Sequence, residues 1–249
     1  MANKEKPILF TGDMVNTIIA GSKTQTRRII KPQPTYSEKT GFNWNGRMYG
    51  VNSDYAGTVR NFAYPANPFG KVGDLLWVRE TWSTVNLWGE IAIAYRADSS
   101  LIRVVEDKSF QCEDGTINYD DPRLEKYTFS AWADDLFDGK EGVWRPSIHM
   151  PRWASRILLR IKDVRVERLM AISEKDAMAE GMWYTDHGKD QFDNQNPGWF
   201  WKLSDSPEQC LHTAQEAFGS LWSQTYGAKS WEENPWVWVV DFEVADIRE

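Results

Sequence analysis

Residues 20–28 read Ala20-Gly21-Ser22-Lys23-Thr24-Gln25-Thr26-Arg27-Arg28, and this stretch decides how the chain is read. Upstream of it, Asp13 stands as a candidate N-cap before Met14, Val15, Ile18 and Ile19, whose spacing places four apolar side chains on one helical face. Gly21 suits the stop of that helix. Downstream, Thr24–Ile30 (TQTRRII) alternates as a strand does, and Lys31-Pro32-Gln33-Pro34 ends it because proline has no ladder donor. The stretch is therefore a helix–strand corner. Strand alternation groups Thr24, Thr26 and Arg28 on one face, with Lys23 at the corner. A lysine beside a hydroxyl and an arginine can hold an anion. Partly desolvated and near a second cation, it can also release its proton and serve as a base. The alternative is that these cations only complement the dipole at a helix C-terminus. On that view Lys23→Ala costs ~1 kcal/mol or less.

Working outward, Pro7–Thr11, Leu75–Val78, Glu90–Ala97, Arg156–Arg168 and Trp236–Val244 read as further strands. Ser173-Glu174-Lys175-Asp176 opens a helix running through Glu180 and stopped by Gly181. Pro207–Tyr226 carries Leu211, Ala214, Phe218, Leu221 and Trp222 at helical spacing. Residues 35–70, 106–143 and 183–206 lack a clear period and read as insertions in a single domain spanning 1–249. About six strands and about three helices, without glycine-rich βαβ turns, predict an α+β fold, mainly β: a small, mostly antiparallel barrel with helices packed on it and long loop insertions. GxGxxG, Walker A, HExxH and GxSxG patterns are not found.

The 249 residues carry 29 basic and 36 acidic side chains, net −7, which argues against non-specific coating of nucleic acid. Hydrophobic residues at 41% and aromatics at 14% suffice for a packed core. No apolar run reaches the ~18–20 residues of a membrane span, and MANKEKPILFTGDM does not read as a signal peptide. Two cysteines, Cys112 and Cys210, are too few for a disulfide framework. His149, His187 and His212 are too scattered for a metal site. The expectation is a reduced, cytoplasmic protein with no metal and no cofactor. Charge is nonetheless uneven. Met14–Ser37 has no acid and carries Lys23, Arg27, Arg28 and Lys31. Gly142–Lys162 has none either and carries Arg145, Arg152, Arg156, Arg160 and Lys162. Either the two segments border one anion site, or their strands present solvated arginines.

Two further groups of residues attract attention. On the strand after Gly73-Asp74, alternation sets Trp77, Arg79 and Thr81 against Val78, Glu80 and Trp82. Glu80 could accept from the amine of a base and Trp82 could stack on its ring. Core packing and a surface ion pair are the plainer uses of these side chains. In Trp144–Trp153 (WRPSIHMPRW), Pro146 and Pro151 force an extended or turning path. Arg145, His149 and Arg152 could there wall a pocket for a phosphate or base.

AGSKTQTRR resembles the signature of the ASCH domain family, of PUA-like β-barrel type, whose small members carry Ala-Gly-basic-Lys-Thr-x-Thr-x-Arg at a helix–strand corner. Ser22 stands where a basic residue is common. Lys71-Val72-Gly73-Asp74-Leu75-Leu76 is similar to the family's Gly-Asp turn, and Ile172–Gly181 (ISEKDAMAEG) to its short helix. WVWVVDFEV at 236–244 is similar to its closing strand. The strings GDLLWVRETW, WRPSIHMPRWASR and NPWVWVV resemble large phage- and prophage-encoded members. Some small ASCH proteins are amidohydrolases that remove an acyl group from N4 of cytosine nucleosides with a Lys–Thr–Glu site. Carried over by motif, that site is Lys23, Thr26 and Glu180. The resemblance thus implies that Glu180 meets Lys23 across more than 150 residues of chain, with Thr24, Arg27, Arg28, Arg79, Glu80, Trp82, Arg145, His149 and Arg152 as candidate substrate or nucleic-acid contacts. It implies a nucleoside or nucleic-acid partner and no membrane. A non-catalytic reader of modified or structured RNA or DNA, an ASCH-type nuclease and a virion-associated scaffold stay open as alternatives.

Overall fold

A computed structural model describes residues 4–127, 130–185, 197–201 and 211–248. Thirteen strands and six α-helices are found among them. In chain order they are β1 (Glu5–Leu9), α1 (Gly12–Ile19), β2 (Gln25–Ile29), β3 (Thr35–Ser37), β4 (Gly41–Trp44), β5 (Arg47–Tyr49) and α2 (Tyr55–Ala66). There follow β6 (Leu75–Arg79), β7 (Trp82–Leu87), β8 (Glu90–Tyr95), β9 (Leu101–Arg103), α3 (Ala133–Phe137) and β10 (Ile157–Arg168). The chain continues through α4 (Glu174–Ala179), β11 (Trp183–Thr185), β12 (Gly198–Phe200), α5 (Ala214–Tyr226), α6 (Ala228–Glu232) and β13 (Trp236–Ile247).

This is the α+β class expected from the sequence. The main sheet has the order β1-β6-β10-β13-β2. Its order leaves β1 and β2 as edges, so the described strands do not close into the expected barrel. Of the additional strands, β3, β4, β5, β11 and β12 come from the insertions, while β7 and β9 flank the expected strand β8. Residues 35–70, read as an inserted loop, fold into the antiparallel sheet β3-β4-β5 and helix α2. Their aromatics explain why: Tyr36, Phe42 and Phe62 join Trp236 of β13 in one cluster, with Phe42 and Phe62 stacked at 4.6 Å. Asp54 caps α2 by accepting from the Gly57 amide at 2.7 Å. The insertion 106–143 holds short 3-10 turns and α3. Most of 183–206 lies outside the described residues, as do the start of the expected 207–226 helix, His187 and Cys210.

The chain divides into two compact units. One comprises residues 1–6, 17–76 and 159–245; the other comprises 7–16, 77–158 and 246–249. In the second, Trp82, Ile93, Tyr95, Phe110, Leu124 and Met150 form one core cluster, and Val85, Ala92, Ala94, Ala133 and Leu136 another. Helix α1 begins two residues earlier than expected, at Gly12 rather than Met14. The Thr11 hydroxyl, rather than Asp13, receives the Met14 amide, at 3.4 Å, because Asp13 already lies in the first turn. None of the described helices is long and apolar enough to cross a membrane.

Candidate functional site: a buried lysine in a carboxylate network

The corner at Gly21 forms as the sequence suggests. Gly21 adopts φ +73°, and the amides of Ser22 and Lys23 both donate to the Thr17 carbonyl at 3.0 Å. Strand β2 then pairs antiparallel with β13, with Gln25 opposite Asp241, Thr26 opposite Val240, Arg27 opposite Val239 and Arg28 opposite Trp238. On the other side α4 docks by its C-terminal end. The Thr24 amide donates to the Ala179 carbonyl at 2.8 Å, and Lys23 and Glu180 form an antiparallel bridge. Ser173 caps α4 by accepting from the Asp176 amide, as its sequence position predicts.

That docking brings together residues 157 positions apart. Lys23 Nζ donates to Glu180 Oε2 at 2.6 Å and to the Glu180 carbonyl at 2.8 Å. Lys23 is 1% exposed and Glu180 3%. Burial lowers the lysine pKa from its ordinary value; Glu180 opposes that shift, and the charges of Arg28 and Arg27 add to it.

The side chain that joins this pair from β2 is Arg27, not Thr26 or Arg28. Arg27 Nη1 meets Glu180 Oε1 at 3.3 Å, and Nη2 meets Glu167 Oε2 at 3.1 Å. It also donates to Gln25 Oε1, and its guanidinium lies 5.8 Å from the Phe218 ring centre. Gln25 Nε2 reaches Asp176 at 2.9 Å and Asp241 at 2.5 Å. Arg165 closes the network with contacts to Glu167 at 2.6 Å, Asp241 at 2.5 Å and Asp176 at 2.9 Å. Three cations (Lys23, Arg27, Arg165) thus face four carboxylates (Glu167, Asp176, Glu180, Asp241). Desolvation works against ionisation of Asp176, yet hydrogen bonds from Ser173 and Gln25 and the nearby arginines hold it at about 2. Desolvation raises Asp241, in spite of Arg165 and Gln25.

Thr26 is buried, and its side chain makes no hydrogen bond to Lys23 or Glu180. Thr24 is exposed and Arg28 half-buried. In the second unit, Glu80 is tied to Arg156 by paired contacts of 2.9 Å, and burial raises its pKa. Arg156 also binds Asp98 and Ser100, so its five N–H donors are all engaged. Trp82 is core, 1% exposed, with no ring face open to a ligand. Arg79 donates to the Ile148 carbonyl and lies over Trp77; Arg145 bridges Trp82 through its backbone. His149 and Arg152 are exposed. The acid-free segments therefore do not behave as bare cationic surfaces: the buried arginine of each, Arg27 or Arg156, is matched by carboxylates within its own unit. No group of three or more His, Cys, Asp or Glu side chains arranged to hold a metal occurs among the described residues.

The sequence reading missed Gln25, Arg165, Glu167, Asp176 and Asp241. A usable signal existed for Asp241, the first acid after five apolar residues in WVWVVDFEV. A buried strand carries such a residue only when a partner awaits it. No family model, curated protein or solved structure matches the chain.

Proposed function

We propose that this chain handles nucleosides in the manner of the ASCH proteins its sequence resembles, with the Lys23–Glu180 pair as the proton-transfer centre of an amidohydrolase acting on N4-acylated cytosine nucleosides. The observation that supports this reading is the sealed contact of 2.6 Å between them, at a lysine whose charged form is disfavoured by burial. In its neutral form a lysine held that way accepts the proton of the Thr26 hydroxyl as that oxygen bonds the acyl carbon. Glu180 passes the proton to the cytosine amine as the C–N bond breaks, and water then releases the acyl group from Thr26 as a carboxylic acid. Arg27, also bonded to Glu180, keeps the carboxylate oriented. Lys23 is 1% and Glu180 3% exposed, so substrate contact with the pair requires the surrounding chain to move.

A second reading is favoured by that same seal and by Thr26, whose hydroxyl is not bonded to the pair: the ion pair pins α4 to the β2 corner and the protein is a non-catalytic reader. One experiment separates the two. N4-acetylcytidine and related N4-acyl nucleosides are incubated with wild type, Lys23→Ala and Glu180→Gln, and products are resolved by mass spectrometry, with folding checked by circular dichroism. The amidohydrolase reading expects deacylation by wild type and a loss of at least ~10²-fold in each folded variant. No turnover by folded wild type supports the non-catalytic reader, and equal turnover in all three overturns the Lys23–Glu180 pair as the proton-transfer centre. Lys23→Ala leaves the buried Glu180 with Arg27 as its remaining cation, so its stability cost exceeds the ~1 kcal/mol expected from a helix end and stays below the ~3–5 kcal/mol of a wholly unpaired buried charge. Glu180→Gln keeps the side-chain shape and is the cleaner variant.

A further inference from the structure

The geometry points to a separate ligand site in the second unit: a cavity of about 540 Å3 that takes a small phosphate monoester bearing a flat ring, such as a nucleoside monophosphate. The inference is independent of the Lys23 reading, since none of its residues belongs to that network. Arg123, Arg152 and Arg248 line the cavity from three distant parts of the chain, together with the fully engaged Arg156. Asp107 and Asp246 are the acids of the lining.

Donor accounting shows where an anion would bind. Arg248 donates to Asp107 at 2.5 Å and to the carbonyls of Trp153 and Ser155 at 2.8 and 2.6 Å. Three of its five N–H groups are thereby used and two remain. Arg123 makes two bonds to Asp121 and two to Ser109, leaving one. Both guanidiniums are fixed in place by these bonds, so they present the remaining donors without further ordering. Arg152 is exposed at the same lining. A phosphate has enough acceptor oxygens to meet several guanidiniums at once, and charge-assisted contacts of that kind are the strong ones.

The ring is argued from the rest of the wall. Trp153, Ile157 and Leu158 supply its apolar part. The Trp153 ring is held edge-on by Trp82 at 5.8 Å and Phe110 at 5.5 Å, which leaves it half-buried and rigid beside the arginines. The volume falls in the range of pockets for small organic ligands.

The test is isothermal titration calorimetry at low salt with inorganic phosphate, adenosine and cytidine, and their 5′-monophosphates as probes. The expected result is binding of the monophosphates, with the parent nucleosides weaker by at least about tenfold and phosphate alone weaker than the monophosphates. Arg248→Ala and Arg152→Ala should each weaken the monophosphates by at least about tenfold, while Lys140→Ala, an exposed cation outside the lining, leaves them unchanged. Arg152 is exposed, so its variant keeps the assay valid if loss of the Arg248 contacts disturbs folding. No monophosphate binding at millimolar concentration overturns the proposal. So does nucleoside binding as tight as monophosphate binding, or wild-type affinity in a folded Arg152→Ala. Loss of monophosphate binding in a folded Lys140→Ala would overturn its assignment to this cavity. Absence of N4-deacylation would not bear on this site, because calorimetry here requires no turnover.

Discussion

At the scale of single residues, the carboxylates of the Lys23 network give the clearest pH signature. Asp176 has a folded pKa of about 2 against an ordinary 3.8. The stability it brings is fully present above that ordinary value and is lost as pH falls from there to about 2. Asp241 shifts upward, so it acts with the opposite sign: its ionisation weakens the fold as pH rises through the raised value. Urea midpoints measured at pH 2.5, 4 and 7 should therefore show Asp176→Asn with a smaller acid loss than wild type. Asp241→Asn should show no such relief; relief by Asp241→Asn alone would reverse the assignment. Residue-scale reading of the sequence reached Lys23 directly but placed the wrong β2 side chain beside it. Alternation told that Thr26 and Arg28 share a face, and α4 was found to pack on the other one, beside Gln25 and Arg27.

At the scale of elements, the α4 terminus shows how a glycine controls the site. Gly181 has φ +97°, and a Cβ there would lie 3.1 Å from Thr17 Oγ1 and 3.3 Å from Lys23 Cβ. Gly21 has φ +73°, with nothing within 4 Å of an added Cβ. Gly181→Ala should therefore cost ~1–3 kcal/mol in chemical denaturation and disturb the Lys23 contact. Gly21→Ala, which pays only for its left-handed backbone, should cost ~1–2 kcal/mol. Equal small losses at both positions would show that the Gly181 turn relaxes without strain. The same scale explains what was hidden in 35–70. Strands of three or four residues are too short to display a period. Yet Asn45-Gly46, with φ +50° and +75° between paired Trp44 and Arg47, is a hairpin signal readable in advance. Asp54 before Tyr55, Val59, Phe62 and Ala63 is likewise a capped helical stripe.

At the scale of the whole molecule, charge is divided between a net −7 and buried pairs that salt scarcely reaches. Added salt screens the diffuse repulsion of the net charge more than it screens Lys23–Glu180 or Arg156–Glu80. Calorimetric melting between about 0.02 and about 0.5 M NaCl should accordingly show Tm rising with salt. A fall would mean that exposed pairs such as Lys162–Glu243 dominate instead. The sequence by itself determined the α+β class, the long strands β10 and β13, the corner at Gly21 and the capped start of α4. These depend on local periodicity, caps and turn residues, which a short window of chain displays. It also supplied, through a resemblance, the pairing of Lys23 with Glu180. Only the tertiary structure decided that the main sheet stays open, that Arg27 and not Thr26 contacts Glu180, and that Arg123, Arg152 and Arg248 line one cavity. Those outcomes depend on which strand faces meet and which distant charges become desolvated together, and neither is encoded in the spacing of neighbouring residues.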